Sequence, residues 1–348
     1  MSYPLSYPIA DKQISAVGRN DKTVFDQRFL RAISSLGVTR QLLLSTLGVS
    51  CLITVNAADI LPAPTQVSPH VYAWIGPHGP ANTSNRGYRM NMVFVVGKEA
   101  VAVIETGYTE AMAKEMITKI KTITKKPIKF AINSNSQPDR FLGNEVFRRH
   151  GAAIITSSAE AQRMAEMAGM FAAGVESALK LPAGSVNIPN APTRVITAND
   201  TVELGGVTLK LYQFGAAHTP SPLVVEVVQD KVVYGGDILY SGRLLATIDG
   251  GNVQSWIKVF DELRRFGDAT FVPGHGNPGK LTAFEFPTRD YLVLLHSHMQ
   301  KMLAENIDMI DAIDRLDQSR FAGLENYDEL ARRNAHTVYR EAELASFK

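Results

Sequence analysis

The sequence predicts a layered α/β domain in which β-sheets are buried under helices. Segments with strand-like apolar patterns alternate with helix-like segments through two halves of the chain, and this alternation is typical of α/β proteins. A hydrophobic content of 45% and a charged content of 20% over 348 residues are ordinary for a globular protein with a large core. We therefore expect one large domain or two ordinary ones.

The N-terminal segment differs in character from the rest of the chain. Residues 42–55 form an apolar run that follows several arginines and ends at Val55-Asn56-Ala57, a small-x-small pattern typical of signal-peptide cleavage sites. The run is shorter than the roughly 20 apolar residues that a membrane span needs. We predict a signal-like segment over residues 1–57, export to the periplasm, and no stable membrane span after signal removal. A buried core helix and an uncleaved N-terminal anchor are the alternatives.

The sequence pattern predicts alternating strands and helices in the first half of the folded part. The predicted strands are Val71–Ile75, Met92–Val96, Val101–Ile104, Ile128–Ile132 and Ala152–Thr156, and the predicted helices are Glu110–Ile123, Phe141–His150 and Ser158–Ala173. In the first helix, Ala113, Met116, Ile117 and Ile120 recur at helical spacing, and Pro127 ends the pattern.

The second half repeats this alternation. The predicted strands are Thr193–Ile196, Thr208–Phe214, Leu223–Val228 and Lys231–Tyr234, and the predicted helices are Val253–Phe266 and a segment from Arg289 to the end. Residues 296–348 are charged and carry no recognisable chemistry. We expect them to form a helical extension that packs on the domain or mediates self-association.

Composition argues against a nucleic-acid partner. The formal net charge is +2, and no basic run with interleaved aromatic residues occurs. A small molecule is therefore the expected ligand or substrate, and the sequence does not say which one.

Four polar residues follow predicted apolar strands and are the candidates for chemistry. Asp139 follows Ile128–Ile132, and Asp237 follows the strand that begins near Val232; His218 and His275 lie in FGAAHTP and FVPGHGNPG. Because α/β proteins place their sites at the carboxyl ends of strands, we expect these side chains to meet at one sheet edge.

This ordered set resembles the metallo-β-lactamase superfamily over about residues 67–295. The first loop of that family reads Thr-His-x-His-x-Asp-His, and here the corresponding run is Ser-Asn-Ser-Gln-Pro-Asp-Arg over residues 134–140. Asn135, Gln137 and Arg140 thus stand at three imidazole positions. The resemblance places Asp139, His218, Asp237 and His275 at the remaining ligand positions, with Asp237 as the carboxylate that often bridges two metals.

The resemblance also carries finer details. Ile104-Glu105-Thr106-Gly107 matches a stretch that usually has Asp where this chain has Glu105. Asn85-Arg86-Gly87, Asp249-Gly250-Gly251 and Trp256 are similar to exported metallohydrolases linked to quinoprotein systems. The implied fold is an αββα sandwich over residues 61–295 with additional C-terminal helices.

The altered loop changes which metals the resemblance implies. With Asn135 and Gln137 in place of imidazoles, the three-imidazole position is expected to be empty, since amide oxygens suit harder ions than zinc. Asp139, Asp237 and His275, with His218 as a weaker candidate, leave enough ligands for one divalent ion such as Zn²⁺.

Two functions stay open from the sequence. The first is a hydrolase in which one metal activates water against an ester, thioester or amide-like bond, with Asp139 orienting the nucleophile and His218 stabilising developing charge. The second is a metal-free, catalytically inactive relative that acts in binding or assembly. In the second, the Arg140 guanidinium supplies the cation that two neighbouring carboxylates need.

Overall fold

Two β-sheets pack face to face because both carry apolar side chains on the faces that meet. The computed structural model describes residues 59–347. The strands in this range are β1 Thr65–Gln66, β2 Val71–Trp74, β3 Met92–Val96, β4 Val101–Ile104, β5 Ile128–Ile132, β6 Ala153–Ser157, β7 Arg194–Ile196, β8 Asp200–Glu203, β9 Thr208–Gln213, β10 Leu223–Val227, β11 Val232–Tyr240 and β12 Thr270–His275.

The helices cover the outer faces of the two sheets. They are α1 Glu110–Ile123, α2 Pro138–Phe141, α3 Asn144–Arg149, α4 Ser158–Leu179, α5 Val253–Glu262, α6 Tyr291–Ala304, α7 Met309–Asp314 and α8 Tyr327–Ser346. Within residues 59–347, no helix has the length and apolar character that a membrane crossing requires.

The sheet order brings the two halves of the chain together as separate layers. The first sheet has the order β1-β2-β3-β4-β5-β6-β7, antiparallel up to β4 and parallel from β4 to β7. The second has the order β12-β11-β10-β9-β8, in which only the β11–β12 pair is parallel. Parallel strands β4, β5 and β6 and the β11–β12 pair direct their carboxyl ends into loops, where α/β proteins build sites.

Three apolar clusters define the layers. One lies between the sheets and contains Val93, Ile104, Leu211 and Val225. A second joins α1, α3 and α4 to the outer face of the first sheet, and a third joins α5, α6, α7 and α8 to the outer face of the second. The predicted αββα sandwich with additional C-terminal helices is therefore confirmed.

Four predicted elements agree with the structure at both ends, namely Met92–Val96, Val101–Ile104, Ile128–Ile132 and Glu110–Ile123. The predicted helix Phe141–His150 was wrong in its bounds, because Pro138 begins α2 earlier and Gly143 separates it from α3. The predicted helical segment from Arg289 to the end consists of three α-helices, separated by turns in which Asn306 and Asn326 adopt positive φ. The signal-like segment over residues 1–57 lies outside the described residues and stays a prediction.

One difference matters for the site. Asp237 was expected to follow a strand that ends at Tyr234, but β11 continues to Tyr240 and Asp237 lies within it. The pairing of β11 with β12 shifts register on either side of Gly236, which has φ +53°. This irregularity lets the strand continue while it turns the Asp237 carboxylate toward the first loop.

Helix α8 supports the segment that follows β11. Asn334 is fully buried, accepts from the backbone N–H of Thr247 at 2.9 Å, and donates to the carbonyl of Leu245 at 2.7 Å. The neighbouring carbonyl of Ala246 accepts from Nδ1 of His218 at 3.0 Å. The C-terminal helix therefore positions a wall of the site as well as adding to the core.

Candidate functional site

The first loop is held in shape by side chains that bond to nearby backbone. Asn135 Oδ1 accepts from the N–H of Gln137 at 2.8 Å, which is a local Asx-type turn. The buried carboxylate of Glu160 accepts from the N–H of Ser136 at 2.9 Å and of Ser221 at 2.8 Å. This one carboxylate ties the first loop to the loop that carries His218, so both are fixed relative to each other.

Arg140 lies between the acidic and imidazole side chains of the site and is fully buried. Its Nη2 and Nε donate to the two oxygens of Asp237 at 2.6 and 3.1 Å, which is a bidentate pair. Nη1 donates to the carbonyl of Asn91 at 3.2 Å, Nη2 is 3.3 Å from Nε2 of His275, and Nε is 3.5 Å from Oδ1 of Asp139. Every nitrogen of the guanidinium thus has a protein partner.

The charge state of Arg140 follows from these neighbours. Burial alone would lower its pKa, but the carboxylates of Asp237 and Asp139 hold that pKa well above its ordinary value. Burial would likewise raise the pKa of Asp237, but the positive charge of Arg140 outweighs burial and keeps that pKa well below its ordinary value. The pair is therefore a guanidinium and a carboxylate at all ordinary pH values.

A glycine makes room for this pair. A Cβ atom at Gly274 would lie 2.2 Å from Oδ1 of Asp237, which is closer than any real contact. The backbone around Gly274 is fixed from the other side by Asn91, whose Nδ2 donates to the carbonyls of Pro273 at 2.9 Å and Gly276 at 2.7 Å. The run Pro-Gly-His in β12 therefore serves close packing as well as the presentation of His275.

The two imidazoles are neutral and oriented. Nδ1 of His218 donates to the carbonyl of Ala246, and Nδ1 of His275 donates to the carbonyl of Arg89, each at 3.0 Å, which leaves Nε2 of each ring as an acceptor. Burial lowers the pKa of both, and for His275 the nearby charges of Arg243, Arg140 and Arg89 add to that effect. Tyr240 stacks on the His275 ring with centroids 5.2 Å apart.

Glu105 stands beside this cluster as a buried acid. Its two carboxyl oxygens are each 3.3 Å from the N–H of Ser134, and its backbone has a positive φ of 69°. Burial raises the pKa of Glu105 to about 8, although Arg140 acts in the opposite direction. Glu105 therefore carries a proton at neutral pH and does not compete with Asp237 for Arg140.

Several of these side chains line a cleft of about 150 Å³. Its lining residues come from loops, from α2, from β11 and β12, and from the C-terminal helix, and they are Arg89, Tyr108, Gln137, Pro138, Asp139, His218, Asp237, Tyr240, Arg243, Ala246, Ile248, His275 and Arg333. The structure thus brings together the four residues expected to meet at one sheet edge. Their catalytic and metal-binding roles stay predictions.

The residues present do not fit the pair of metal ions that the unaltered loop of the family would hold. The amide nitrogen of Asn135 donates to Oδ2 of Asp237 at 2.8 Å, and its oxygen is used within the loop. Arg140 engages both oxygens of the same carboxylate. Across residues 59–347, no three His, Cys, Asp or Glu side chains converge as a metal-ligand group.

Several residues of the site were not anticipated from the sequence. Asn91 and Glu160 act through buried hydrogen bonds, and residue type alone gives no signal for such roles. Arg243, six positions after Asp237 and three positions beyond the end of β11, could have been noticed. Arg333 lies on α8, where an arginine in a charged helix is unremarkable.

Comparisons with known proteins agree on one family. A model described as the metallo-beta-lactamase superfamily matches residues 86–275, just over half of the chain. A metallo-beta-lactamase type 2 from Bacteroides fragilis is 30% identical over 92 residues, which are 25% of this chain and 37% of that protein. One from Elizabethkingia meningoseptica is 25% identical over 225 residues, 63% of this chain and 80% of that protein.

A solved structure supports the fold. A metallo-beta-lactamase from Pontibacter korlensis superimposes with a TM-score of 0.54 at 24% sequence identity, over 66% of this chain and 98% of its own. The finer likeness to quinoprotein-linked metallohydrolases stays a prediction.

A double-mutant cycle tests the buried pair. Arg140→Ala and Asp237→Ala should each lower the free energy of unfolding by about 3–5 kcal/mol, because each leaves a buried charge without its partner. The double variant should cost less than the two losses added together, measured by urea denaturation. The pair Arg148–Glu145 has the same 2.6 Å separation, but the arginine side chain is 40% exposed. It is the control, where Arg148→Ala should cost less than about 1 kcal/mol. Strict additivity at Arg140 and Asp237 would contradict the described pairing.

Glu105 should give the protein a specific pH dependence. Its pKa is about 8 in the folded state against an ordinary 4.5, so between these values the folded state binds more protons than the unfolded state. Stability should therefore fall as pH rises from about 4.5 to about 8. The difference in unfolding free energy between Glu105→Gln and the wild type, measured at pH 5, 6, 7 and 8, should increasingly favour the variant. If this difference in unfolding free energy is the same at all four pH values, Glu105 is ionised throughout that range and its pKa is not raised.

Proposed function

The chain belongs to the metallo-β-lactamase superfamily, and from that premise we propose that it is a metal-free member whose cleft binds a ligand. The observation that carries the proposal is Arg140, a fully buried guanidinium in bidentate contact with Asp237. Through Arg140 the chain itself supplies the positive charge that the two close carboxylates of Asp139 and Asp237 require.

The competition between Arg140 and a metal ion supports this assignment. An ion held by Asp237 and His275 would occupy the space beside a guanidinium nitrogen that is 2.6 Å from one and 3.3 Å from the other. The repulsion between two cations at contact distance is large in a buried site. Moving Arg140 aside would also break its bonds to Asn91 and Asp237.

A one-metal hydrolase is the second candidate, and one observation favours it. Asp139 has only a 3.5 Å ion pair with Arg140, and Nε2 of His218 has no protein donor among the described residues. Both groups line the cleft and are free to act on a bound molecule. In that function the substrate would carry an ester, thioester or amide-like bond, and at most one divalent ion such as Zn²⁺ would bind.

Metal content separates the two candidates. After dialysis against zinc and then buffer, the wild-type protein should hold less than about 0.1 equivalent, because its ligand set cannot hold the ion tightly. The matched variant Asn135→His/Gln137→His/Arg140→His restores three imidazoles and removes the cation, and it should retain close to one equivalent or more, measured by plasma mass spectrometry. Gln137→Ala serves as a control and should behave as the wild type. One zinc retained by the wild type, together with zinc-dependent turnover of an ester or thioester, would establish the hydrolase instead.

We also propose that the chain is exported to the periplasm. The support is the apolar run over residues 42–55 and the small-x-small pattern that ends at Ala57. N-terminal sequencing of the protein from its host should begin at Ala58. A protein that retains Met1 in the cytosol would contradict export.

A further inference from the structure

Three arginines line the cleft in front of the buried Arg140, and they come from three separate parts of the fold. Arg89 precedes β3, Arg243 follows β11, and Arg333 lies on α8. None of the three forms an ion pair with a carboxylate in the part of the chain that the structure describes. Arginine is rarely buried without a paired acid, so the half-buried Arg89 and the buried Arg243 need an explanation.

Arg243 is the clearest case because it is buried. Its side chain is 4% exposed, and it donates from Nε to the carbonyl of Leu244 at 3.3 Å and from Nη1 to the carbonyl of His78 at 3.1 Å. Both acceptors are neutral carbonyls. Burial and the nearby charge of Arg89 lower the pKa of Arg243, while Tyr240, Asp237 and Asp139 act in the opposite direction. A buried cation with no carboxylate in contact is unfavourable unless a ligand provides that contact.

Arg89 shows the same lack of a partner. Its Nε is buried and has no hydrogen-bond partner among residues 59–347. The residue is half-buried, and its backbone carbonyl holds the His275 ring. Arg333 is exposed at the rim of the cleft, where a charged side chain can meet a ligand as it enters.

The acidic groups of the cleft do not balance these cations. Asp237 is neutralised by Arg140, which leaves Asp139 as the other carboxylate of the lining. The two imidazoles are neutral, so they contribute no charge. The lining residues therefore leave an excess of positive charge that faces the cleft.

We propose that the cleft binds a small anion with a carboxylate or phosphate group, held by Arg89 and Arg243, with Arg333 at the rim. The guanidinium group matches the planar carboxylate and the phosphate oxygens equally well. A cleft of about 150 Å³ is small, which favours a small metabolite-sized anion. This inference names the ligand class of the proposed binding function and rests on it.

Titration calorimetry with simple anions tests the proposal. The probes are acetate, succinate and inorganic phosphate, with uncharged succinamide as the control ligand, in low salt with the neutral chelator phenanthroline present. The wild type should bind at least one anion with a Kd below about 1 mM, whereas succinamide should not bind. Affinity for succinate over phosphate identifies a carboxylate site, and the reverse order identifies a phosphate site.

Variants connect the binding to the named residues. Arg243→Gln and Arg333→Gln should each weaken binding at least tenfold, because each removes a charge-assisted hydrogen bond. Arg332→Gln is the matched control, since Arg332 is the exposed neighbour that pairs with Asp314 at 2.7 Å outside the cleft. Arg333→Gln changes an exposed side chain and should fold normally, so it tests the proposal even if Arg243→Gln does not fold.

Two results would overturn the proposal: no anion bound with a Kd below about 1 mM, or equal affinity in the wild type and the Arg243→Gln and Arg333→Gln variants. Neither depends on metal content. Zinc retained by the wild type would refute the metal-free function, and failure of anion binding in a zinc-free protein would refute the ligand class alone.

Discussion

The bidentate contact between Arg140 and Asp237 is the interaction on which the rest of the site depends. It joins the first loop to β11, and the other donors of Arg140 reach the segment before β3 and the imidazole that ends β12. A buried ion pair of this kind is not a strong source of stability, because desolvation offsets most of the attraction. The pair instead fixes the positions of both side chains, since moving either one would leave the other as a buried charge without a partner.

The fixed cation and burial together set the charge states of the neighbouring groups. Arg140 keeps Asp237 ionised against burial, whereas burial keeps Glu105 protonated and His275 neutral. The buried charges of Arg140 and Asp237 therefore cancel, and the three arginines without a carboxylate partner line the cleft. In the metal-binding arrangement that the family resemblance implies, the positive charge would come from outside the chain. Here Arg140 supplies that positive charge, and the cleft remains available to a negatively charged ligand.

The sequence predicted the fold well because apolar periodicity and strand–helix alternation are local signals. Strands such as Met92–Val96 and the convergence of Asp139, His218, Asp237 and His275 follow from such signals. The contact between Arg140 and Asp237 could not be predicted, since 97 positions separate the two residues. The sequence left both a metal-bound and a metal-free site open. Arg89 and Arg333 were missed because they come from segments distant from the four polar residues, whereas Arg243 lies only six positions after Asp237.

A crystal structure of the wild-type protein grown with excess zinc, with data collected across the zinc absorption edge, is the most direct test of the central claim. We expect a planar guanidinium in contact with both oxygens of Asp237, and no anomalous peak between Asp237 and His275. An anomalous peak at that position, with Arg140 displaced, would contradict the account.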